Sequence, residues 1–235
     1  MTFSLAARCP RSGRFGIVVT SSSPAVAARC AFVRAGVGAA ASQNVTDPRL
    51  GPRLLDLMAA GHGAQEAVDR LAATEPHADW RQLTAIGARG GGAAFSGART
   101  LGRNARATGQ DAVAAGNLLA TPDVPAAMLA AFESLDPGRP LAARLLAALR
   151  AGADAGGEEG PVHSAGLLVA DTAAWPVTDL RVDWSEDDPI AELAALWQRW
   201  EPQEADYLQR ALAPDAAPGY GVPGDSRPAA PGERT

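Results

Sequence analysis

The first fifty residues alternate short apolar stretches with clusters of turn-forming residues. Phe3 to Ala7 and Phe15 to Thr20 are apolar or β-branched, and the cluster from Cys9 to Gly13 between them is typical of a hairpin loop. Val37 to Gln43 is small and apolar and ends at the polar Asn44, which suits a buried strand. The pattern therefore predicts three strands, the first two of which form a hairpin.

From Pro48 onward, helical spacing of apolar residues alternates with further strand-like stretches. Leu50, Leu54, Leu57 and Met58 fall on one helical face that ends near Gly61 and Gly63. Further helices are predicted at 64–73, around Val124 to Phe132, at 141–149, and from Pro189 to a break at Pro202. Strands are predicted within 83–87, 92–96, 111–119, 165–170 and 179–183.

Strands and helices occur in groups along the chain rather than in strict alternation. This grouping favours an α+β fold in which antiparallel sheets are covered by helices. We expect one domain over residues 1–213. Nine of the last 22 residues are Pro or Gly, so 214–235 is predicted to be an irregular tail.

Composition narrows the range of functions. The net charge is −5 and all 21 basic residues are Arg, which argues against a nucleic-acid surface and removes Lys as a base. No apolar run is long enough to cross a bilayer and no secretory signal is apparent, so we expect a cytoplasmic protein without a membrane partner. Two cysteines are too few for a disulfide framework or a four-thiolate zinc site. No metal or phosphate motif occurs, and no cofactor is implied.

Thr2 is the first candidate for chemistry. Initiator Met is usually removed before a residue as small as Thr, which would leave Thr2 with a free α-amine. Such an amine has an ordinary pKa of about 7.7–8.0 and can take the proton of the neighbouring hydroxyl, so nucleophile and base lie on one residue. An apolar strand begins at Phe3, and we expect it to hold Thr2 at a sheet edge.

Further polar residues lie at the predicted ends of strands. Ser21 and its neighbours could bind the amine or form a turn, and Asn117 could donate to an oxyanion or form a turn. His163 could orient a substrate or protonate a leaving amine, or be structural. Thr2, Ser21, Asn117 and His163 are the catalytic candidates, and the candidates for substrate binding are Ser22, Gln43, Asn44 and Asp183.

Several motifs appear in a fixed order: Thr2 to Arg8, Ala35 to Ala39 with Gln43, Pro48 to Arg53, Gly116 to Leu119, and Asp179 to Asp183 with Asp188 to Leu193. With these motifs, residues 2–200 resemble the DUF1028 family, which is classed with the N-terminal-nucleophile (Ntn) hydrolase-like proteins. The resemblance implies an αββα sandwich and, by analogy, amide hydrolysis by the residue after Met1. Two motifs depart from the family: Arg8-Cys9-Pro10 replaces the commoner Arg-Asp-Pro, and serines stand at 21–23 where many members carry Ser-Lys.

Three functions remain open at this point. The first is an amidohydrolase that cleaves an amide or ureido bond of a small anionic metabolite through an acyl-enzyme on Thr2. The second is a non-catalytic ligand-binding module on the same fold. The third is a structural subunit, because the helix that bears Trp197 and Trp200 could form a homodimer contact as readily as cover the core.

Overall fold

Ten strands form two antiparallel sheets in the computed structural model, which describes residues 1–228. In chain order they are β1 (Thr2–Arg8), β2 (Phe15–Ser21), β3 (Ala31–Arg34), β4 (Gly38–Asn44), β5 (Arg81–Gly87), β6 (Ala93–Ser96), β7 (Ala105–Thr108), β8 (Ala112–Asn117), β9 (Ser164–Ala170) and β10 (Thr178–Val182). The larger sheet has the order β10-β9-β2-β1-β8-β7, and the smaller has the order β3-β4-β5-β6.

The register of the larger sheet brings several strand ends together. Phe3 of β1 pairs with Thr20 of β2, and Thr2 pairs with Asn117 of β8. Ser21 of β2 pairs with Ser164 of β9. Because all these pairs are antiparallel, the starts of β1 and β9 and the ends of β2 and β8 lie at the same end of the sheet.

Two pairs of helices cover the outer faces of the two sheets. The helices of residues 1–228 are α1 (Ala27–Cys30), α2 (Leu50–Ala59), α3 (Ala64–Thr74), α4 (Val124–Ser134), α5 (Leu141–Asp154), α6 (Pro189–Trp200) and α7 (Glu204–Leu212). The pair α2 and α3 packs on the smaller sheet, whereas α4 and α5 pack on the larger one, and the two sheets face each other. The predicted α+β class and the αββα layer order are confirmed.

Amphipathic spacing explains how the helices attach. Leu141, Leu145 and Leu149 recur at intervals of four along α5 and are buried against the larger sheet. Burying each such side chain contributes roughly 1.5–3 kcal/mol. The predicted pairing of α4 with α5 is also confirmed.

The space between the sheets changes character along its length. At one end the inward positions are apolar and include Ala6, Ile17 and Val113 from the larger sheet with Ala41 and Ile86 from the smaller. We call this the apolar end. At the other end the inward positions are polar and buried, and we call their residues the polar end: Thr2, Ser4, Ser21, Gln43, Gln82, Asn117 and Ser164.

The sequence pattern did not predict four of the observed elements. The strand β7 has alternating partly buried and exposed residues and no large apolar side chain, and β3 is only four residues long. The helix α1 has only one turn. The helix α7 follows a 3-10 turn at Glu201–Gln203 that contains Pro202, so the predicted break is confirmed, but the chain then resumes a helix.

The chain divides into two compact units, residues 1–195 and the residues from 196 onward. Both sheets and the helices α1 to α5 belong to the first unit. In the second, Trp200 packs against Tyr207 with ring centroids 5.0 Å apart. That one domain extends to residue 213 stays a prediction, and residues 229–235 of the predicted tail lie outside the described residues.

Candidate functional site

Thr2 lies at the polar end as the first residue of β1 and is 5% exposed. Successive side chains on a strand point to opposite faces, so Thr2 and Ser4 share the inward face with Ala6. Ser21 and Asn117 end the two strands that flank β1. The sheet register thus brings three of the four predicted catalytic residues, Thr2, Ser21 and Asn117, to adjacent strand ends.

Two hydroxyl groups converge on one backbone carbonyl. Both Thr2 Oγ1 and Ser21 Oγ donate to the carbonyl oxygen of Met1, and the two hydroxyl oxygens are 3.4 Å apart. Each hydroxyl has a single proton, so while both donate to Met1 they are acceptors toward their other neighbours. A carbonyl group at this position therefore accepts one hydrogen bond from Thr2 Oγ1 and one from Ser21 Oγ.

A guanidinium completes the chain of hydroxyls. Ser21 Oγ is 2.8 Å from Ser23 Oγ, and Arg29 Nη2 donates to Ser23 Oγ over 2.6 Å. Arg29 Nη1 also donates to the carbonyl of Ala25 at 3.0 Å, which fixes the guanidinium on the loop. Because Arg29 can only donate, Ser23 accepts from it and keeps its own proton for Ser21. The chain contains no Lys, so in this region the positive charge comes from Arg29.

Glu158 is a buried acid next to the serines. It is 6% exposed, and its Oε2 accepts the Ser22 backbone N–H at 3.2 Å. Its Oε1 is buried and has no partner among the described residues. Burial raises the pKa of Glu158 to about 7, although the positive amine of Met1 and the hydrogen bonding with Ser22 act in the opposite direction. Around neutral pH this carboxyl group can exist in either protonation state.

Three side-chain amides form a network whose orientation the backbone fixes. Gln43 Nε2 donates to the carbonyl of Ala115 at 3.2 Å, and Gln82 Nε2 donates to the carbonyl of Gly116 at 3.0 Å. Carbonyl groups only accept, so the nitrogen of each Gln must face β8. Gln82 Oε1 then accepts from both Gln43 Nε2 at 2.8 Å and Asn117 Nδ2 at 3.0 Å.

This network determines which side-chain atom of Asn117 is available to bind a further group. Its Nδ2 donates to Gln82, so its Oδ1 faces elsewhere, and that buried oxygen has no partner among residues 1–228. Asn117 pairs directly with Thr2 across the sheet. At this position Asn117 therefore offers an unpaired acceptor together with one remaining amide hydrogen.

His163 is hydrogen-bonded through its backbone to the last residue of β2. Its backbone N–H donates to the carbonyl of Ser21 at 2.8 Å. Its ring stacks on Trp184 with centroids 4.4 Å apart, and Nδ1 is 2.7 Å from the carbonyl of Ser185. Because that carbonyl can only accept, Nδ1 carries the proton of a neutral ring and Nε2 is an acceptor. The partners of this ring within residues 1–228 are thus Ser185 and Trp184, and its catalytic role stays a prediction.

The four predicted substrate-binding residues lie in different surroundings. Gln43 belongs to the buried amide network and accepts from Ser4 Oγ at 2.7 Å, and Ser22 binds Glu158 through its backbone. Asn44 has a φ of 72° and links two loops, because its amide donates to the Trp80 carbonyl at 2.6 Å and its oxygen accepts from the Leu101 N–H. Asp183 is exposed beyond the end of β10. Substrate binding by these residues stays a prediction.

Sequence reasoning missed three residues of this site. Glu158 lies in the loop between α5 and β9 and is positioned by a backbone bridge with Leu119. Gln82 lies on the smaller sheet, and Arg29 lies on the one-turn helix α1. The one signal available for Glu158 was an acidic residue in a glycine-rich loop, and such a loop does not reveal which strand end it covers.

Within the part of the chain that the structure describes, no three His, Cys, Asp or Glu side chains come together as metal ligands would. None of the helices there combines the length and apolar character that crossing a bilayer requires. A cytoplasmic location stays a prediction.

Comparisons with known proteins identify relatives but no activity. The sequence pattern of DUF1028, described as a family of unknown function, matches residues 2–193. A crystal structure of a DUF1028 protein from Silicibacter pomeroyi is 30% identical, with a TM-score of 0.81, and the match covers 89% of this chain and 94% of that chain. No curated protein matches the sequence.

A more distant structural likeness is to Anbu (ancestral beta-subunit) from Yersinia bercovieri. It is 12% identical with a TM-score of 0.40, and the match covers 88% of this chain and 97% of that chain. A likeness at that level is too weak to carry an argument about function. The family pattern spans most of the chain, from the first residue of β1 into α6, and includes the whole polar end. The chain therefore belongs to DUF1028, a family of unknown function.

Proposed function

We propose that the polar end is the active site of an N-terminal-nucleophile amide hydrolase, in which Thr2 attacks the substrate once Met1 has been removed. The observation that carries the proposal is the convergence of Thr2 Oγ1 and Ser21 Oγ on the carbonyl oxygen of Met1. A pair of hydroxyls that already binds one carbonyl can bind the carbonyl of a substrate amide. The DUF1028 resemblance to Ntn-hydrolase-like proteins supports the same assignment by analogy.

In the proposed reaction Thr2 Oγ1 attacks the amide carbon while its proton passes to the α-amine of Thr2. The amine then gives this proton to the leaving nitrogen as the C–N bond breaks, which leaves an acyl ester on Thr2. Water then attacks the ester carbon and gives a proton to the same amine, and the amine passes this proton to Thr2 Oγ1 as the ester C–O bond breaks and the acid leaves. With no Lys in the chain, the amine has to serve as the base itself.

The neighbouring groups receive roles that match their hydrogen-bonding capacity. Asn117 Oδ1 is an unpaired acceptor on the strand position opposite Thr2 and would orient the protonated amine. Ser21 would donate to the developing oxyanion as it donates to the Met1 carbonyl. Ser23 and Arg29 would hold the Ser21 hydroxyl in that orientation through their own hydrogen bonds.

For the substrate we propose a small metabolite with an amide or ureido bond, expected from the sequence to be anionic. The Arg29 charge near the serines supports an anion. Ionised Glu158 would repel an anion, whereas the Thr2 amine has to be deprotonated to act as the base. We therefore expect turnover to be highest near neutral pH, where protonated Glu158, with its pKa of about 7, and the neutral amine are both partly populated.

The experiment combines processing with turnover. Intact-mass measurement should show loss of Met1, and a screen of small amides and ureido compounds should find turnover. We expect Thr2→Ala to abolish that turnover and Thr2→Ser to retain part of it. Thr108→Ala, on the exposed edge strand β7, is the matched control and should behave like the parent. Active protein that retains Met1 would contradict the mechanism.

A non-catalytic binding module is the second candidate. It is favoured by the departure at residues 21–23, where serines stand in place of the Ser-Lys that many family members carry, so no Lys can assist the nucleophile. A ligand that binds the parent and Thr2→Ala equally and is never turned over would support this alternative. A homodimer stays a prediction.

A further inference from the structure

A second polar site lies at the other end of the β1–β2 hairpin. The loop between these strands borders a cavity of about 390 Å³, which we call the Cys9 cleft. Its lining includes Cys9, Arg11, Ser12, Arg14, Arg139 and Leu141. Because β1 runs from Thr2 to Arg8, the Cys9 cleft and the polar end lie at opposite ends of the same strand.

The Cys9 cleft is rich in positive charge. Three arginines line it, and Arg14 is paired with Asp171 at 2.8 Å. Neither Arg11 nor Arg139 has an acidic partner within 4.0 Å among the described residues. Leu141, the first residue of the 14-residue helix α5, adds the positive end of a helix dipole. Such a lining favours an anionic ligand.

Buried Arg144 adds an unpaired cation one helical turn beyond Leu141. It is 4% exposed, its Nη2 donates to the Phe132 carbonyl at 3.0 Å, and its guanidinium lies 3.9 Å from the centroid of the Phe132 ring. Its Nε and Nη1 are buried and have no partner within residues 1–228. Asp136 is an acidic neighbour, but it accepts the Gly138 N–H at 2.8 Å and forms no ion pair with Arg144.

The two cysteines of the chain are in opposite electrostatic settings. Burial raises the pKa of the Cys9 thiol, but hydrogen bonds from Ser12 and Arg11 and the charge of Arg144 outweigh it, so the pKa is lowered overall. Burial raises the pKa of the Cys30 thiol, and the Thr46 hydroxyl 3.3 Å away does not compensate. Both cysteines are buried, but Cys9, which is 5% exposed, lines the Cys9 cleft, where its Sγ lies 3.9 Å from the carbonyl oxygen of Pro137. Thiolates rather than thiols attack disulfides, so we expect Cys9 to react faster than Cys30.

We propose that Cys9 is a modification site that forms mixed disulfides with small anionic disulfides, which the arginines of the Cys9 cleft bind. The Cys9 thiolate attacks one sulfur of the incoming disulfide, a new S–S bond forms, the old one breaks, and the other half leaves as a thiolate. Cys9 is oxidised, the departing half is reduced, and excess thiol reverses the step. This site is independent of the proposed hydrolase activity.

The first test counts and identifies the reacting thiols. Native protein is treated with the dianionic disulfide dithiobis(nitrobenzoate) and with the neutral dithiodipyridine, and the released nitrothiobenzoate or thiopyridone is followed over time. We expect one of the two thiols to react in the native state. Cys9→Ser should remove that reaction, whereas the matched Cys30→Ser should leave it unchanged. Reaction of both thiols at one rate, or of Cys30 alone, overturns the proposal.

The second test separates binding of the anion from exposure of the thiol. Arg11→Gln combined with Arg139→Gln should slow the anionic disulfide about tenfold relative to the neutral one, and added salt should slow the parent in the same sense. Arg89→Gln combined with Arg199→Gln, both at exposed positions, is the charge-matched control and should leave the ratio unchanged. An equal change in both rates in the double variant would mean that the arginines do not bind the anion.

Discussion

The two ends of the space between the sheets are built by the same strands and have opposite chemistry. Ala6 and Ile17 at the apolar end and Thr2 and Ser21 at the polar end occupy inward positions of the same hairpin. Burial is nearly complete at both ends, so exposure does not distinguish them. A buried polar group is costly unless it is hydrogen-bonded, so a protein that needed only stability would continue the apolar packing. At the polar end buried hydrogen-bonded groups therefore replace apolar packing, as the proposed active site requires.

The largest expected effect comes from putting a polar group into the apolar end. Ile17→Asn should lower the free energy of unfolding by about 4 kcal/mol, because it removes a fully buried side chain and buries an unpaired amide. The conservative Ile17→Val should cost only about 1 kcal/mol. Denaturant titration measures the free energy of unfolding of both variants. Similar losses would show that the polarity of the Asn side chain is not what destabilises the apolar end.

The reverse change at the polar end is expected to destabilise as well. Gln82→Leu should cost about 3 kcal/mol despite its greater hydrophobicity, because the amide nitrogens of Gln43 and Asn117 and the carbonyl of Gly116 each lose the hydrogen bond with Gln82. Adding Gln43→Leu should cost less than the sum of the two single changes, since fewer groups remain unpaired. Strict additivity in this double-mutant cycle would argue against a coupled network.

The raised pKa of Glu158 predicts that the stability of the folded protein depends on pH. Its pKa is about 7 in the folded protein against an ordinary 4.5, so unfolding releases a proton between these values. Stability should therefore fall as pH rises from 4.5 through 7 and stay low above that range.

Glu158→Gln removes this titration and should be more stable than the parent by about 3 kcal/mol near pH 8, with little difference near pH 4. Thermal or denaturant unfolding across this pH range measures the difference. Glu159→Gln, its exposed neighbour, is the matched control and should follow the parent. A constant offset at all pH values would mean that Glu158 ionises normally.

The smallest effect is expected from removing the guanidinium of Arg29, which donates to Ser23. Arg29→Gln should lower turnover of an amide substrate about tenfold, equivalent to roughly 1.4 kcal/mol, through the loss of its bond to Ser23. Arg34→Gln, which removes the exposed ion pair with Asp56, should leave turnover unchanged. Equal losses in both variants would point to a general effect of charge.

Local pattern was enough to predict most of the fold. Period-two strands and amphipathic helices such as α5 are encoded by neighbouring residues, and the β1–β2 hairpin brought Ser21 to Thr2 as expected. The strand β7 and helix α1 were missed because a weakly apolar edge strand and a single helical turn have no such periodicity.

The site was only partly predictable for a different reason. Thr2 and Ser21 lie on strands that a local hairpin joins, and the sequence pattern placed Asn117 at the end of its own strand. The pairing of Asn117 with Thr2 joins strands that are distant in the sequence, so no local signal reveals it. Glu158 and Gln82 meet them through a loop bridge and through packing of one sheet on the other, and neither is encoded by neighbouring residues. The acceptor presented by Asn117 became apparent only when the orientation of both glutamines was fixed.

The central claim is that the polar end carries a nucleophile on Thr2. The most direct measurement is peptide mapping after treatment of the native protein with an acylating β-lactone, with Thr2→Ala and Thr108→Ala treated in parallel. The account predicts one acyl adduct, on Thr2 of chains that lack Met1, absent from Thr2→Ala and retained in Thr108→Ala. An adduct that persists in Thr2→Ala, or no adduct in chains that lack Met1, would contradict it.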